Sequence, residues 1–215
     1  MAYGEFVAGI HSVVIDPRDS NHMYVAVSCA GVAETRDGGR TWASCNKGMT
    51  NDYLPNAEVE WGHDPHFVTL CPGAPDHLWQ QNHSGIFYSD NGAKTWRKVS
   101  RDDVGVHFGF PIATDDSDGR TAWVVPAGGD SARMSIGGGM FVARTRDGGE
   151  TWQAFRKGLP QEHSYDIVYR HALDQRGGRL CLGTTTGNVY VSEDAGESWQ
   201  CVGNNFPPVH SVRFS

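Results

Sequence analysis

No stretch of the 215-residue chain approaches the roughly 20 consecutive apolar residues of a bilayer-spanning helix, so no membrane partner is expected. The opening residues, Met1-Ala2-Tyr3-Gly4-Glu5, have neither the basic start nor the apolar run of a secretion signal. Paired cysteines are missing too. Cys29, Cys45, Cys71, Cys181 and Cys201 are odd in number and never spaced CxxC, which predicts free thiols and a cytoplasmic location. All but Cys29 are expected as small buried residues. Basic residues are scarce: 18 Lys and Arg against 25 Asp and Glu leave a net charge of -7, and the 18 are scattered. Neutralising phosphates needs clustered cations, so nucleic acid is excluded as the main partner. Phosphate-binding glycine loops, dinucleotide fingerprints and Ser-His-Asp motifs are also absent.

What is present is turns and tryptophan, with 27 Gly, 10 Pro and 7 Trp. One octet occurs four times: Thr35-Arg-Asp-Gly-Gly-Arg-Thr-Trp42, Ser89-Asp-Asn-Gly-Ala-Lys-Thr-Trp96, Thr145-Arg-Asp-Gly-Gly-Glu-Thr-Trp152 and Ser192-Glu-Asp-Ala-Gly-Glu-Ser-Trp199. The four tryptophans lie 54, 56 and 47 residues apart, the length of a four-stranded propeller blade with its connections. The residue types fit a hairpin turn. Glycine serves where φ turns positive, the third-position carboxylate accepts turn N–H groups, and the hydroxyls bond to the backbone. The Trp then buries its ring against the blade. The second copy, with Asn91 and Ala93, is expected to be the least rigid.

Strand-like runs precede each octet in the same order. Inner strands are expected at 9–15, 66–70, 108–113 and 165–170, and a last one at 209–214. The fold class is therefore all-β: one propeller-type domain over 1–215, with blades at about 8–50, 66–100, 107–157 and 164–203, and a final strand at 208–214. Four blades plus one strand make an incomplete propeller, with open blade edges that invite self-association.

Inner-strand starts and second-strand ends converge at the channel mouth. This alignment places His11, His66 and His210 at one level, joined by His83, Asn82 and Cys29. Imidazoles at one mouth suit a divalent metal such as zinc, copper or iron. The competing reading is a repeated structural histidine bonded to backbone. The long connection from Asn46 to Pro65 carries Asp52, Glu58, Glu60 and Asp64 with Tyr53 and Trp61. Its carboxylates suit acid–base work, with Asp52 and Glu60 preferred and Glu58 read as solvated. Arg170 suits an anionic group. His63 is the one other histidine expected near the mouth.

The octets resemble Asp-boxes, or BNR repeats, of sialidases, sortilin-type receptors and photosystem assembly factors. The segments Asn51-Asp-Tyr-Leu-Pro55, Gln80-Gln-Asn-His-Ser-Gly85, Phe108-Gly-Phe-Pro-Ile112, Leu159-Pro-Gln161 and Gly183-Thr-Thr-Thr-Gly187 resemble the C-terminal part of bacterial sialidase-like, exo-alpha-sialidase-type glycosyl hydrolases. The resemblance runs from about His11 to Val212 and implies a β-propeller acting on a carbohydrate-like or other small polar ligand. The Arg-Ile-Pro motif of true sialidases is absent. Two readings follow. One is a glycosidase-like or metal-dependent hydrolase with a histidine cluster at the mouth; the other is a non-catalytic propeller that binds glycan or protein.

Overall fold

The computed structural model describes residues 8–57 and 59–215. Four antiparallel sheets of four strands follow one another, each a meander in chain order. Blade one is β1 (Ile10–Asp16), β2 (Asp19–Val27), β3 (Gly31–Thr35) and β4 (Ala43–Ser44). Blade two is β5 (Pro65–Cys71), β6 (Ala74–Asn82), β7 (Gly85–Ser89) and β8 (Arg97–Lys98). Blade three is β9 (Gly109–Thr114), β10 (Ala122–Pro126), β11 (Val142–Thr145) and β12 (Gln153–Phe155). Blade four is β13 (Leu173–Arg176), β14 (Arg179–Gly183), β15 (Val189–Ser192) and β16 (Gln200–Gly203). The architecture is the all-β propeller expected from the repeat.

Each octet joins the third strand to the fourth and locks itself. In octet one, Asp37 Oδ1 accepts the N–H groups of Arg40 and Thr41 at 2.9 Å, and Thr41 Oγ1 donates to Oδ2 at 2.6 Å. Thr35 Oγ1 donates to Asp37 Oδ1 at 2.9 Å and receives the N–H of Gly39 at 3.0 Å. The fourth and fifth positions are left-handed throughout: Gly38 and Gly39, Gly92 and Ala93, Gly148 and Gly149, Ala195 and Gly196. The second copy is hydrogen-bonded as fully as the third and fourth. Asn91 Oδ1 accepts from Ser89 and from the Thr95 N–H, and its Nδ2 donates to Thr95 Oγ1 at 2.7 Å. An amide has both a donor and an acceptor end, so it reproduces the carboxylate's bonds with one donation reversed.

The core lies between neighbouring blades. Tyr24, Val32, Leu78 and Trp96 join blades one and two; Trp79, Ile86, Ile112 and Trp152 join two and three; Trp123, Val142, Leu180 and Trp199 join three and four. Second-strand aromatics tie each blade to the next. Tyr24 Oη donates to the Gly92 carbonyl, Trp79 Nε1 to that of Gly119, and Trp123 Nε1 to that of Ala195. Inner strands are tied likewise, the Val68 N–H donating to Ser12 Oγ and Thr114 Oγ1 to the Leu70 carbonyl.

Four expectations need correction. The inner strand of blade four is Leu173–Arg176, not 165–170. The earlier segment holds its carboxylate inward: Asp166 is buried and accepts from Ser164 Oγ at 2.8 Å and from Thr186 Oγ1. That local bonding competes with a strand ladder. The segment 208–214 is not a strand either. It makes one parallel bridge, His171 to Ser211, with Val212 N–H donating to the His171 carbonyl. Finally, Trp42 keeps its ring 44% exposed, and Cys201 joins Cys29 at the surface. All five cysteines are free.

Among the described residues no helix is long and apolar enough to cross a membrane.

Candidate functional site at the channel mouth

The mouth is built by repetition. His11 and His66 occupy matching places in β1 and β5, and each reaches the start of the next inner strand. His11 Nδ1 lies 2.6 Å from the Pro65 carbonyl, and His66 Nδ1 lies 2.6 Å from that of Gly109. A carbonyl only accepts, so Nδ1 carries a proton in both rings. In blade three the matching side chain is Phe110, stacked on His66 with ring centroids 4.7 Å apart.

These strands frame a cavity of about 360 Å³, lined by His11, Tyr53, Asp64, His66, His83 and Arg170 among others. Asp64 sits at its centre. Ser28 Oγ donates to Asp64 Oδ1 at 2.8 Å, while Oδ2 lies 3.8 Å from His66 Nε2 and 3.8 Å from His83 Nδ1. The His83 N–H donates to the Asp64 carbonyl at 2.9 Å, so backbone and side chain together fix this pair. The His66 and His83 rings meet edge to face, 5.7 Å apart. Tyr53 covers His83 at 5.4 Å while its hydroxyl donates to the Gly62 carbonyl.

Burial dominates the electrostatics. It lowers the His66 pKa to about 4, against smaller opposing effects from the Gly109 hydrogen bond and the Asp64 charge. His66 is therefore neutral at pH 7. Burial also pulls Arg170 below the usual guanidinium range, and its Nε is buried without a hydrogen-bond partner. The guanidinium carbon lies 5.5 Å from the centre of the Phe110 ring. Arg133, 5.6 Å from the centre of the same ring, pairs with Asp130, which holds that carboxyl below its ordinary range.

His11, His66, His83, Arg170 and Cys29 thus share one cavity, together with Asp64 from the long connection. His210 does not. It is exposed and stacks on Tyr169 at 5.8 Å, because its segment lies beside the blade-four loop and forms no inner strand. Asp52 is exposed and pairs with Lys98 at 3.5 Å, outside the cavity lining. Glu60 is exposed, and the group it contributes is its carbonyl, which accepts from Ser44 and Asn46. Asn82 is fully buried and donates to Gln80. His63 is buried inside its own loop, with Nε2 2.8 Å from the Val59 carbonyl. Glu58 lies outside the described residues.

Sequence reasoning missed Asp130, Arg133, Ser28 and Phe110. The first two come from the connection between β10 and β11, whose length and five glycines are the signal that was there to read. A larger cavity, about 600 Å³, opens between octets one and two. Its charges are mostly spent on one another: Arg18 pairs with Asp16 and Asp76, and His22 is held between Asp16 and Glu34. The mouth, where the Arg170 Nε has no hydrogen-bond partner among the described residues, is the better site.

No family model matches the chain. It is 28% identical to an oligoxyloglucan-reducing end-specific xyloglucanase of Emericella nidulans, over an alignment covering 94% of this chain and 28% of that protein. The chain thus spans little more than a quarter of that relative. Among solved structures it resembles an ancestral GH74 enzyme (TM-score 0.64, 22% identity, 91% of this chain and 24% of that one). It also resembles the GH74 enzyme of Niastella koreensis (TM-score 0.62, 18% identity, 93% and 31%) and YCF48 from Cyanidioschyzon merolae (TM-score 0.56, 16% identity, 89% and 55%). At these identities the structural likeness is one of fold, the β-propeller.

Proposed function

We propose that this propeller is a glycosidase-like, carbohydrate-active protein that holds a polar sugar in the mouth cavity. The observation that carries the reading is the convergence of His11, Asp64, His66, His83 and Arg170 on one cavity of about 360 Å³. A cavity of that size suits a small ligand, with a few polar groups setting its orientation. Tyr53 and Phe110 supply ring faces, and Arg170 supplies an Nε–H that has no hydrogen-bond partner among the described residues. Hydrolysis of a glycosidic bond uses two carboxyl groups flanking it, and Asp64 and Asp130 are the two in the lining. The xyloglucanase named above supports a sugar ligand. Five free thiols fit a reducing compartment.

The test is calorimetric titration with a neutral xyloglucan oligosaccharide and with an oligogalacturonate, alongside a reducing-end assay. Binding of either, weakened at least about tenfold in Arg170→Gln and in Asp64→Asn, is the expected result. Binding without release of reducing ends leaves a non-catalytic glycan-binding propeller. Failure of both sugars to bind, or equal binding by both variants, overturns the reading.

A further inference from the structure

The polar atoms around Asp64 have the arrangement of a metal centre waiting for its ion. Asp64 contributes a carboxylate oxygen, and His66 and His83 each contribute a ring nitrogen, all three atoms within 4.8 Å of one another. Zinc bonds of about 2.0–2.1 Å place neighbouring tetrahedral ligand atoms roughly 3.3 Å apart. The present 3.8 Å separations of Asp64 from each imidazole therefore need to close by about half an ångström, within reach of side-chain rotation. At 3.8 Å these contacts are longer than hydrogen bonds.

We infer that Asp64, His66 and His83 form a divalent-metal site on the wall of the mouth cavity, with open coordination positions facing the ligand space. The inference deepens the carbohydrate reading, since it places the ion in the same cavity. Three features support it independently of the cluster itself. His66 commits Nδ1 to the Gly109 carbonyl, the outer hydrogen bond that metal-binding histidines use to fix tautomer and ring angle. Ser28 does the same for Asp64 by holding Oδ1 and leaving Oδ2 to the cluster. The backbone bond from His83 to Asp64 pins a ligand in the β6–β7 turn to one in the connection before β5. Two imidazoles and one carboxylate with open positions suit zinc and iron(II) alike. His11 lines the same cavity and lies outside the ligand set, and His210 is remote from it.

The experiment uses the chain purified without a nickel column. Metal content is measured by elemental analysis, and the chelator-treated protein is titrated with zinc chloride and, without oxygen, with iron(II). One equivalent of either metal is expected. Affinity should fall at least about tenfold in Asp64→Asn, His66→Ala and His83→Ala, and by a similar factor in Ser28→Ala, while His210→Ala binds as the parent does. His66 is buried, so a failure of that variant to fold leaves the half-exposed Asp64 and His83 variants to decide. Absence of stoichiometric metal, or unchanged affinity in those two, overturns the inference. Sugar titrations before and after chelation separate the two readings. Sugar binding by a protein that takes no metal leaves the carbohydrate reading standing alone. Metal binding without sugar binding leaves the metal site standing alone.

Discussion

Octet one and octet three differ at a single internal position, Arg40 against Glu150, and make nearly the same hydrogen bonds, yet their tryptophans live in different surroundings. In octet three, Thr151 Oγ1 donates to Asp147 Oδ2 at 2.6 Å, as Thr41 does to Asp37 in octet one. Trp152, however, is 8% exposed and donates its indole N–H to the Val99 carbonyl of the preceding blade. Trp42 folds back on its own turn, donating to the Gly39 carbonyl, with its ring largely in the open. The strand faces agree: β9 and β10 are buried throughout, whereas Ile10, Val13 and Ile15 of β1 are exposed. The octet is thus a self-sufficient turn. What its Trp contributes to stability is decided by whether another blade lies against it.

The widest predicted gap is between the two tryptophans. Trp152→Ala should cost about 3–5 kcal/mol through lost packing and a residual cavity, and Trp42→Ala under about 1 kcal/mol, both read from denaturant midpoints. Equal losses would break the comparison. Glycine substitutions should sharpen it. A Cβ on Gly149 would lie 2.5 Å from the Val99 Cβ, while one on Gly39 meets nothing closer than 3.7 Å. Gly39→Ala should therefore show only the left-handed backbone cost of about 1–2 kcal/mol, and Gly149→Ala that cost plus overpacking of about 1–3 kcal/mol.

Acid should act on octets one, three and four and spare the second. The Thr41 hydroxyl and N–H lower Asp37 to about 2. For Asp147 and Asp194 burial works the other way, but bonds from Thr151 and from Ser198 prevail and bring each to about 2. A carboxylate whose folded pKa lies below its unfolded value near 3.8 stabilises the fold above about pH 4. That contribution is lost as pH falls through about 2. Asp147→Asn, which copies the natural Asn91, should keep the turn and flatten this part of the profile in urea melts between pH 2 and 5. An unchanged acid slope would show that the carboxylates act elsewhere. The smallest effect expected is for Ala195→Gly, which removes a left-handed alanine at φ 58 but adds unfolded-state freedom. The two nearly cancel, within about 1 kcal/mol, measurable as a melting shift.

How much of this was legible follows from range. The octets and their spacing announced four blades because every interaction that defines the turn lies within eight residues. His11, His66 and His83 were placed at one mouth by aligning blades, and they do line one cavity, which Arg170 also lines. His210 failed because its segment never pairs into a sheet, so its register carried no information. Asp52 and Glu60 failed because a long connection has no period from which to read side-chain direction. Blade four was misread since Tyr165–Arg170 looks apolar, whereas the true strand, Leu-Asp-Gln-Arg, is short and polar. Asp130 and Arg133 were invisible because a glycine-rich connection can fold over either face.

By itself, then, the order of residues determined the turns, the blade count and the strand alternation, all of which rest on hydrogen bonds and periodicities between near neighbours. Only the tertiary structure decided which tryptophans are covered, which carboxylate faces the imidazoles, and that the Arg170 Nε has no hydrogen-bond partner among the described residues. Covering a tryptophan depends on atoms more than fifty positions apart, as with Trp152 and the Val99 carbonyl, whose meeting is set by how one blade packs on the next.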